Sequence, residues 1–298
     1  MIAAWLGVTP DAVLDLSASL NPFPLDVPAL ITAHAAAARR YGDPRPLEQE
    51  IATLVEADPE RVVATNGASE AIALVAQLLG RGRVDDPEFS LYRRHLEIDP
   101  TAGLWRSNPH SPSGRLADGD DTAAVWDEAY WQLATGIWTR GDHQRGAFVI
   151  GSLTKLLGAP GIRVGWVVTP DADAAARIRR ARPEWSVSAL AIDVALDALH
   201  DLDLCALSSK VAVARDHLTR ALTHRGLDVE ADAAPWVLVH GVAGMRDELA
   251  RRGVVVRDCT SFDMPDTVRI AVPDTSGLER LLEALDCTQP RITDPKDP

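Results

Sequence analysis

Apolar residues recur at helical spacing in residues 46–57, 69–79, 171–182, 186–225 and 276–285, so each of these stretches is predicted to be a helix with one buried face. Between them lie short runs of β-type residues at 61–65, 123–127, 147–152, 164–169, 236–240, 254–258 and 267–272. Alternation of the two patterns predicts an α/β fold. In the first 170 residues the strand runs are apolar throughout, which suits strands buried on both faces of a mostly parallel sheet. Residues 225–286 read as a smaller α+β unit behind a long helix. The expected division is an N-terminal segment (1–30), a large domain (31–200) and a small domain (201–287), with a cleft between two lobes. A tail at 288–298, without apolar residues to bury, is expected to be disordered.

Composition narrows the class of partner. The 298 residues, 46% hydrophobic and 24% charged, are enough for a core shared between two lobes. A formal net charge of −13 repels phosphate backbones and anionic lipid, so neither nucleic acid nor a membrane is an expected partner. An anionic substrate then needs locally placed arginines. Cys205, Cys259 and Cys287 have neither metal-ligand spacing nor the density of a secreted scaffold, which predicts reduced thiols, no metal and a cytoplasmic address. The first residues lack a basic leader pattern, and no apolar run approaches the ~18 residues of a membrane span.

The chemistry concentrates in residues 151–166, where Lys155 follows a strand ending in small hydroxyl residues and Arg163 comes shortly after. A partly desolvated lysine beside cationic groups loses its proton readily and can attack a carbonyl to form an imine. Ser152, Thr154 and Arg163 offer hydroxyls and a guanidinium fork to a phosphate. Asn66 and Gly67 then lead from a strand into a helix whose free N–H groups favour an anion at Gly67, Ala68 and Ser69, although Ser69 before an apolar run is more often a plain helix cap. At 126–131 an acid, Asp127, ends a buried run and Tyr130 follows. A carboxylate there suits a pyridine nitrogen, which it keeps protonated, with Tyr130 on the ring hydroxyl; a helix-capping aspartate is the alternative.

These pieces, in this order and over nearly the whole chain, resemble the class I and II aminotransferase-like enzymes of fold type I, and within them the branch of histidinol-phosphate aminotransferase and threonine-phosphate decarboxylase. Residues 14–24, 183–191 and 256–272, together with the lysine segment, resemble the decarboxylase in particular. The resemblance implies pyridoxal 5'-phosphate as cofactor, with Lys155 as the Schiff-base lysine, Asp127 on the pyridinium and Tyr130 on the ring oxygen. It implies Gly67, Ala68, Ser69, Ser152 and Arg163 around the cofactor phosphate, and Phe89 stacked on the ring. Tyr41 is implied to reach the phosphate of a neighbouring subunit, hence a homodimer. Arg269 matches the arginine that clamps the substrate carboxylate, Arg257 one that meets a distal phosphate, and Asn21 falls in the substrate-binding segment.

The chain also departs from the family pattern. Ser111 stands where an asparagine contacts the cofactor's ring hydroxyl, and a serine there is expected to reach the ring only through water. An early histidine-glycine-glycine segment has no counterpart, and Ser188 replaces an asparagine. Only fifteen residues separate Tyr92 from Asn108, which predicts a reduced sheet with room for one short element. The loss is expected to spare the cofactor floor and to open the site or alter the dimer surface. The expected activity is decarboxylation of L-threonine O-3-phosphate for cobalamin synthesis, with transamination of an anionic amino acid as the alternative. A protein with this fold and no turnover is the rival of a different class.

Overall fold

Two five-stranded sheets organise residues 2–287, the residues that the computed structural model describes; the tail expected to be disordered lies outside them. The strands are β1 (Leu14–Leu16), β2 (Val62–Thr65), β3 (Arg81–Gly82), β4 (Glu97–Ile98), β5 (Trp105–Ser107), β6 (Val125–Asp127), β7 (Phe148–Ser152), β8 (Gly165–Val168), β9 (Asp228–Ala231), β10 (Trp236–His240), β11 (Val254–Asp258) and β12 (Val268–Ala271).

The larger sheet has the order β2-β8-β7-β6-β5. Every residue of β2, β6, β7 and β8 is buried, as their unbroken apolar sequences require. β5, β6 and β7 are parallel, whereas β8 runs against both β7 and β2. The reason is the short connection after β7. A parallel return needs a crossover of a dozen or more residues with its helix, and here the chain makes a single helical turn, Leu153–Leu156, and comes straight back. Lys155 and Arg163 both sit on that excursion.

The span between Tyr92 and Asn108 holds more than the single element expected. It contains the end of the helix Leu91–His95, β4 and β5, which fit because the strands are two and three residues long. β3 and β4 form a separate two-stranded ribbon, so the sheet itself is reduced to five strands.

The smaller sheet has the order β1-β11-β12-β10-β9. β1 comes from the N-terminal segment and pairs in parallel with β11, a partnership that three residues are too few to announce by periodicity. β9 is a charged, half-exposed edge strand and was equally silent. The long helical stretch at 186–225 is two helices, Ala189–His200 and Leu204–Thr223. Ser188 caps the first by accepting the Ala191 N–H at 3.1 Å, and Asp203 caps the second by accepting the Ala206 N–H at 2.9 Å. Leu207 and Val211 of the second helix belong to the core beneath the larger sheet, and Leu218 and Leu222 to that of the smaller sheet. Each such buried side chain contributes roughly 1.5–3 kcal/mol, so this helix bolts the two units together rather than beginning the second one. Among the described residues no helix is long and apolar enough to cross a membrane, and no cluster has metal-ligand character.

Candidate active site

β7 delivers the lysine. Ser152 ends the strand, and its hydroxyl accepts the Thr154 N–H at 3.2 Å to start the single turn that follows. Leu153 and Leu156 on that turn are fully buried, which leaves half-buried Lys155 to line a cavity of about 340 Å³. The cavity lies at the low end of the usual range for small-molecule sites. Lys155 Nζ donates to the Ala18 carbonyl at 2.9 Å and sits 5.6 Å from the centroid of the Tyr130 ring. Asn21, expected at the substrate, does not line the cavity. Its N–H donates to Lys155 O at 3.0 Å and its side-chain amide to Leu156 O at 2.7 Å, while its side-chain oxygen accepts the Phe23 N–H at 2.9 Å. With its N–H and both ends of its side-chain amide engaged, it pins the N-terminal strap against the lysine turn.

Opposite the lysine turn lies an anion cradle. The helix Gly67–Leu79 begins with Asn66 as cap residue, and the Asn66 side chain turns away to donate to Ser186 O at 2.7 Å. Ser69 therefore lies inside the first turn and is not the cap. Ala68 and Ser69 line the cavity, while Gly67 supplies room behind them. A Cβ on Gly67 (φ +74°) would fall 2.1 Å from Arg163 Nη2, and one on Gly165 would fall 2.6 Å from Ala68 N. Both glycines are needed for the guanidinium, β8 and the helix start to converge. Arg163 Nη1 donates to Thr154 Oγ1 at 2.8 Å, so the cradle and the lysine turn are joined.

Asp127 ends β6 on the cavity floor. Its carboxylate accepts the Tyr92 hydroxyl at 2.9 Å and the Ala129 N–H at 3.0 Å, and no side-chain cation among the described residues pairs with it. Burial pushes the carboxyl above its ordinary range, opposed by those two donors and by the charge of Lys155. Tyr92, which sequence reasoning missed, is fully buried, and burial holds its phenol well above the ordinary value. Its spacing three residues after Phe89 was the available signal, since on a helical turn that puts both rings toward one side. Phe89 lines the cavity edge-on to Tyr92, with centroids 5.6 Å apart. Tyr130 lines it too, its hydroxyl 3.4 Å from Ala18 O and its ring edge-on to Trp236 at 4.8 Å.

The small sheet contributes the arginines. Arg257 on β11 and Arg269 on β12 are direct cross-strand partners. Like charges in that position are unfavourable unless an anion lies before them. Arg269 is 9% exposed, rests 4.7 Å over the Trp236 ring, and donates from Nη1 to Ser111 Oγ at 3.3 Å. Its Nε is buried with no partner among the described residues, and burial, with a further contribution from Arg257, lowers its pKa. Arg257 is exposed at the rim, where Nη2 donates to Ser261 Oγ at 3.1 Å. Ser111, expected to face the cofactor ring, lines the same cavity, and its hydroxyl accepts from Arg269. Tyr41 is 75% exposed and stacks on Trp185 at 4.5 Å, away from the cavity of its own chain.

A lysine turn, a buried acid and an anion cradle around one cavity, on this sheet order, define a fold-type-I pyridoxal-phosphate enzyme. Solved structures share the fold: histidinol-phosphate aminotransferase from Sinorhizobium meliloti in complex with pyridoxal-5'-phosphate (17% identity, TM-score 0.81, covering 97% of this chain and 94% of that one) and L-threonine-O-3-phosphate decarboxylase from Porphyromonas gingivalis (21% identity, TM-score 0.80, 93% and 99%). Residues 90–285 match aminotransferase class I and II, and the chain belongs to that pyridoxal-phosphate-dependent family. Histidinol-phosphate aminotransferase from Haloarcula marismortui is 27% identical over 342 aligned residues, spanning 95% of this chain and 92% of the relative. That aligned length exceeds the 298 residues of the chain, so the relative carries segments absent here, in keeping with the reduced sheet.

The residues present fit the cofactor. Asp127 is a buried carboxylate lacking a cationic partner, and the space that a Cβ on Gly67 would fill holds an arginine beside a helix N-terminus. Arg163, Ser69 and the first-turn N–H groups would hold the phosphate, Asp127 the ring nitrogen and Lys155 the aldehyde carbon. Bound there, the cofactor supplies a carbonyl that condenses with amines and a ring that withdraws electrons.

Proposed function

We propose that this enzyme removes the carboxylate of L-threonine O-3-phosphate, giving the aminopropanol phosphate used in cobalamin synthesis, as a cytoplasmic homodimer in which Tyr41 serves the neighbouring subunit's phosphate site. The observation that carries the substrate class is the Arg257–Arg269 pair. Two guanidinium groups start from facing positions on adjacent strands and end at different depths, one buried with an unpartnered Nε and one exposed at the rim. That arrangement suits a substrate with two anionic ends, its carboxylate at Arg269 and its phosphate at Arg257. Holding both ends fixes which bond at the α-carbon stands perpendicular to the cofactor ring, and so which bond breaks. Lys155 would give up the cofactor aldehyde to the substrate amine and, once freed, hold or return a proton at the α-carbon, while Asp127 would keep the ring nitrogen protonated. The preference for decarboxylation rests on the resemblance of residues 183–191 and 256–272 to that enzyme.

Transamination is the second reading, favoured by the name of the aminotransferase relative. Incubation of the loaded enzyme with phosphothreonine separates the two. Carbon dioxide released without any 2-oxo acid acceptor supports decarboxylation; product formed only with an acceptor, and no carbon dioxide, overturns it. Arg257→Ala is expected to raise KM for the phosphorylated substrate while leaving cofactor affinity unchanged.

A further inference from the structure

Glu88 has no part in the chemistry described so far, yet it is 6% exposed and forms no ion pair among the described residues. It lies on the loop between β3 and the helix Leu91–His95. Its Oε1 accepts the Phe89 N–H at 2.7 Å and the Ser107 hydroxyl at 2.6 Å, and its Oε2 accepts the Ser107 N–H at 2.9 Å. Because the Ser107 proton is committed to Glu88, the same oxygen is left to accept the Ser111 N–H, which it does at 2.8 Å. Ser111 in turn holds Arg269 at 3.3 Å. A second link runs alongside: His110 Nε2 contacts Pro87 O at 2.8 Å and Nδ1 contacts Ser113 Oγ at 2.8 Å, a pairing that the neutral ring satisfies.

We propose that Glu88 is a positioning residue: its carboxylate clamps the loop carrying the Phe89 ring to the loop carrying Ser111, and so sets the cofactor's stacking face and the substrate arginine together. The part concerning Arg269 rests on the substrate reading above; the part concerning Phe89 does not. A loop that needed only closing would be served by a neutral side chain. An ionisable one makes the clamp conditional. The ionised carboxylate accepts all three donors, whereas the protonated acid brings its own hydrogen to a place already occupied by donors. Burial raises the Glu88 pKa to about 7, and the charge of Asp127 adds to the rise. The other ionisable groups around it are Tyr92 on the following helix, Arg106 on β5, His110 and Arg115 on the facing loop, and Asp85 and Asp86 on its own loop.

The test is cofactor affinity of the apoprotein, titrated with pyridoxal phosphate on either side of pH 7, for wild type, Glu88→Gln and Ser107→Ala. Wild type is expected to bind about tenfold more weakly on the acid side, the effect of losing one hydrogen bond to a charged group. Glu88→Gln is expected to bind weakly at both pH values, because its amide turns a donor toward a donor. Ser107→Ala keeps the acid but breaks the link to Ser111, and is expected to flatten the pH dependence and to raise substrate KM more than it lowers kcat. Either variant retaining the wild-type pH profile of cofactor binding overturns the proposal. The binding arm uses no substrate, so a wrong substrate assignment leaves it readable.

Discussion

Replacing Gly67 with alanine perturbs the anion cradle through a single carbon. Two costs follow, and the structure separates them. The backbone at Gly67 has φ +74°, a conformation that costs an L-residue about 1–2 kcal/mol. The new Cβ would also lie 2.1 Å from Arg163 Nη2, a distance no packing tolerates. That clash is relieved without unfolding, because Nη2 is the far end of a flexible side chain and can swing away. Stability therefore loses only the backbone strain, while the site loses its guanidinium. A charge-assisted hydrogen bond is worth about 1.5–3 kcal/mol, so cofactor affinity should fall roughly 10- to 150-fold. Titration of the apoprotein with pyridoxal phosphate gives the affinity, and denaturant unfolding of the same apoprotein gives the strain. Arg163→Ala sets the ceiling, and the double variant should bind no worse than Arg163→Ala alone, since both changes remove one group. A Gly67→Ala protein that loses stability yet binds the cofactor within about twofold of wild type would refute the assignment of Arg163 to the phosphate.

Two further outcomes are expected. Tyr92→Phe removes the hydroxyl donated to Asp127, so the carboxyl, already raised by burial, should rise further and the acid limb of the pH–activity profile should move up by about one unit; an unmoved limb contradicts the contact. Glu128 is buried, and desolvation raises its pKa from 4.5 to about 8. The folded state thus holds a proton that the unfolded state releases, and stability that is full below 4.5 is lost as pH rises to about 8. Glu128→Gln should remove that slope, gaining a few kcal/mol on wild type at alkaline pH in denaturant titrations; parallel pH curves would contradict it.

The parts of the site that were legible in the sequence are those fixed by local chain geometry. Lys155, Asp127 and Ser152 sit at or just beyond the ends of buried apolar strands, and an unbroken apolar run announces such an end. The helix start at Gly67 was readable for the same reason, whereas Arg269, inside β12, came only from the family resemblance. What stayed hidden depends on contacts between distant segments. Ser111 appeared as a shortened cofactor ligand, and only the pairing of β12 with β10 shows that Trp236 and Ser111 together hold Arg269. Asn21 appeared at the substrate, but β1 joins the small sheet, and this carries the following strap across to the lysine turn. Glu88 and Tyr92 left little trace, since a buried acid in a loop and a buried phenol on a five-residue helix read like surface residues until the partner segments are placed. The helix Leu204–Thr223, just beyond the expected boundary at residue 200, buries the leucines of its two halves in different cores, which its periodicity alone does not reveal.

The claim on which everything else depends is that Lys155 binds the cofactor aldehyde. The chain has three lysines, Lys155, Lys210 and Lys296, which makes the measurement unusually clean. The yellow holoprotein is reduced with borohydride, digested and mapped by mass spectrometry. Reduction is expected to abolish the visible absorbance and to leave a phosphopyridoxyl group on the Lys155 peptide, with none in Lys155→Ala. A label on Lys210, on Lys296 or on the terminal amine, or a protein that never acquires the chromophore, would contradict it.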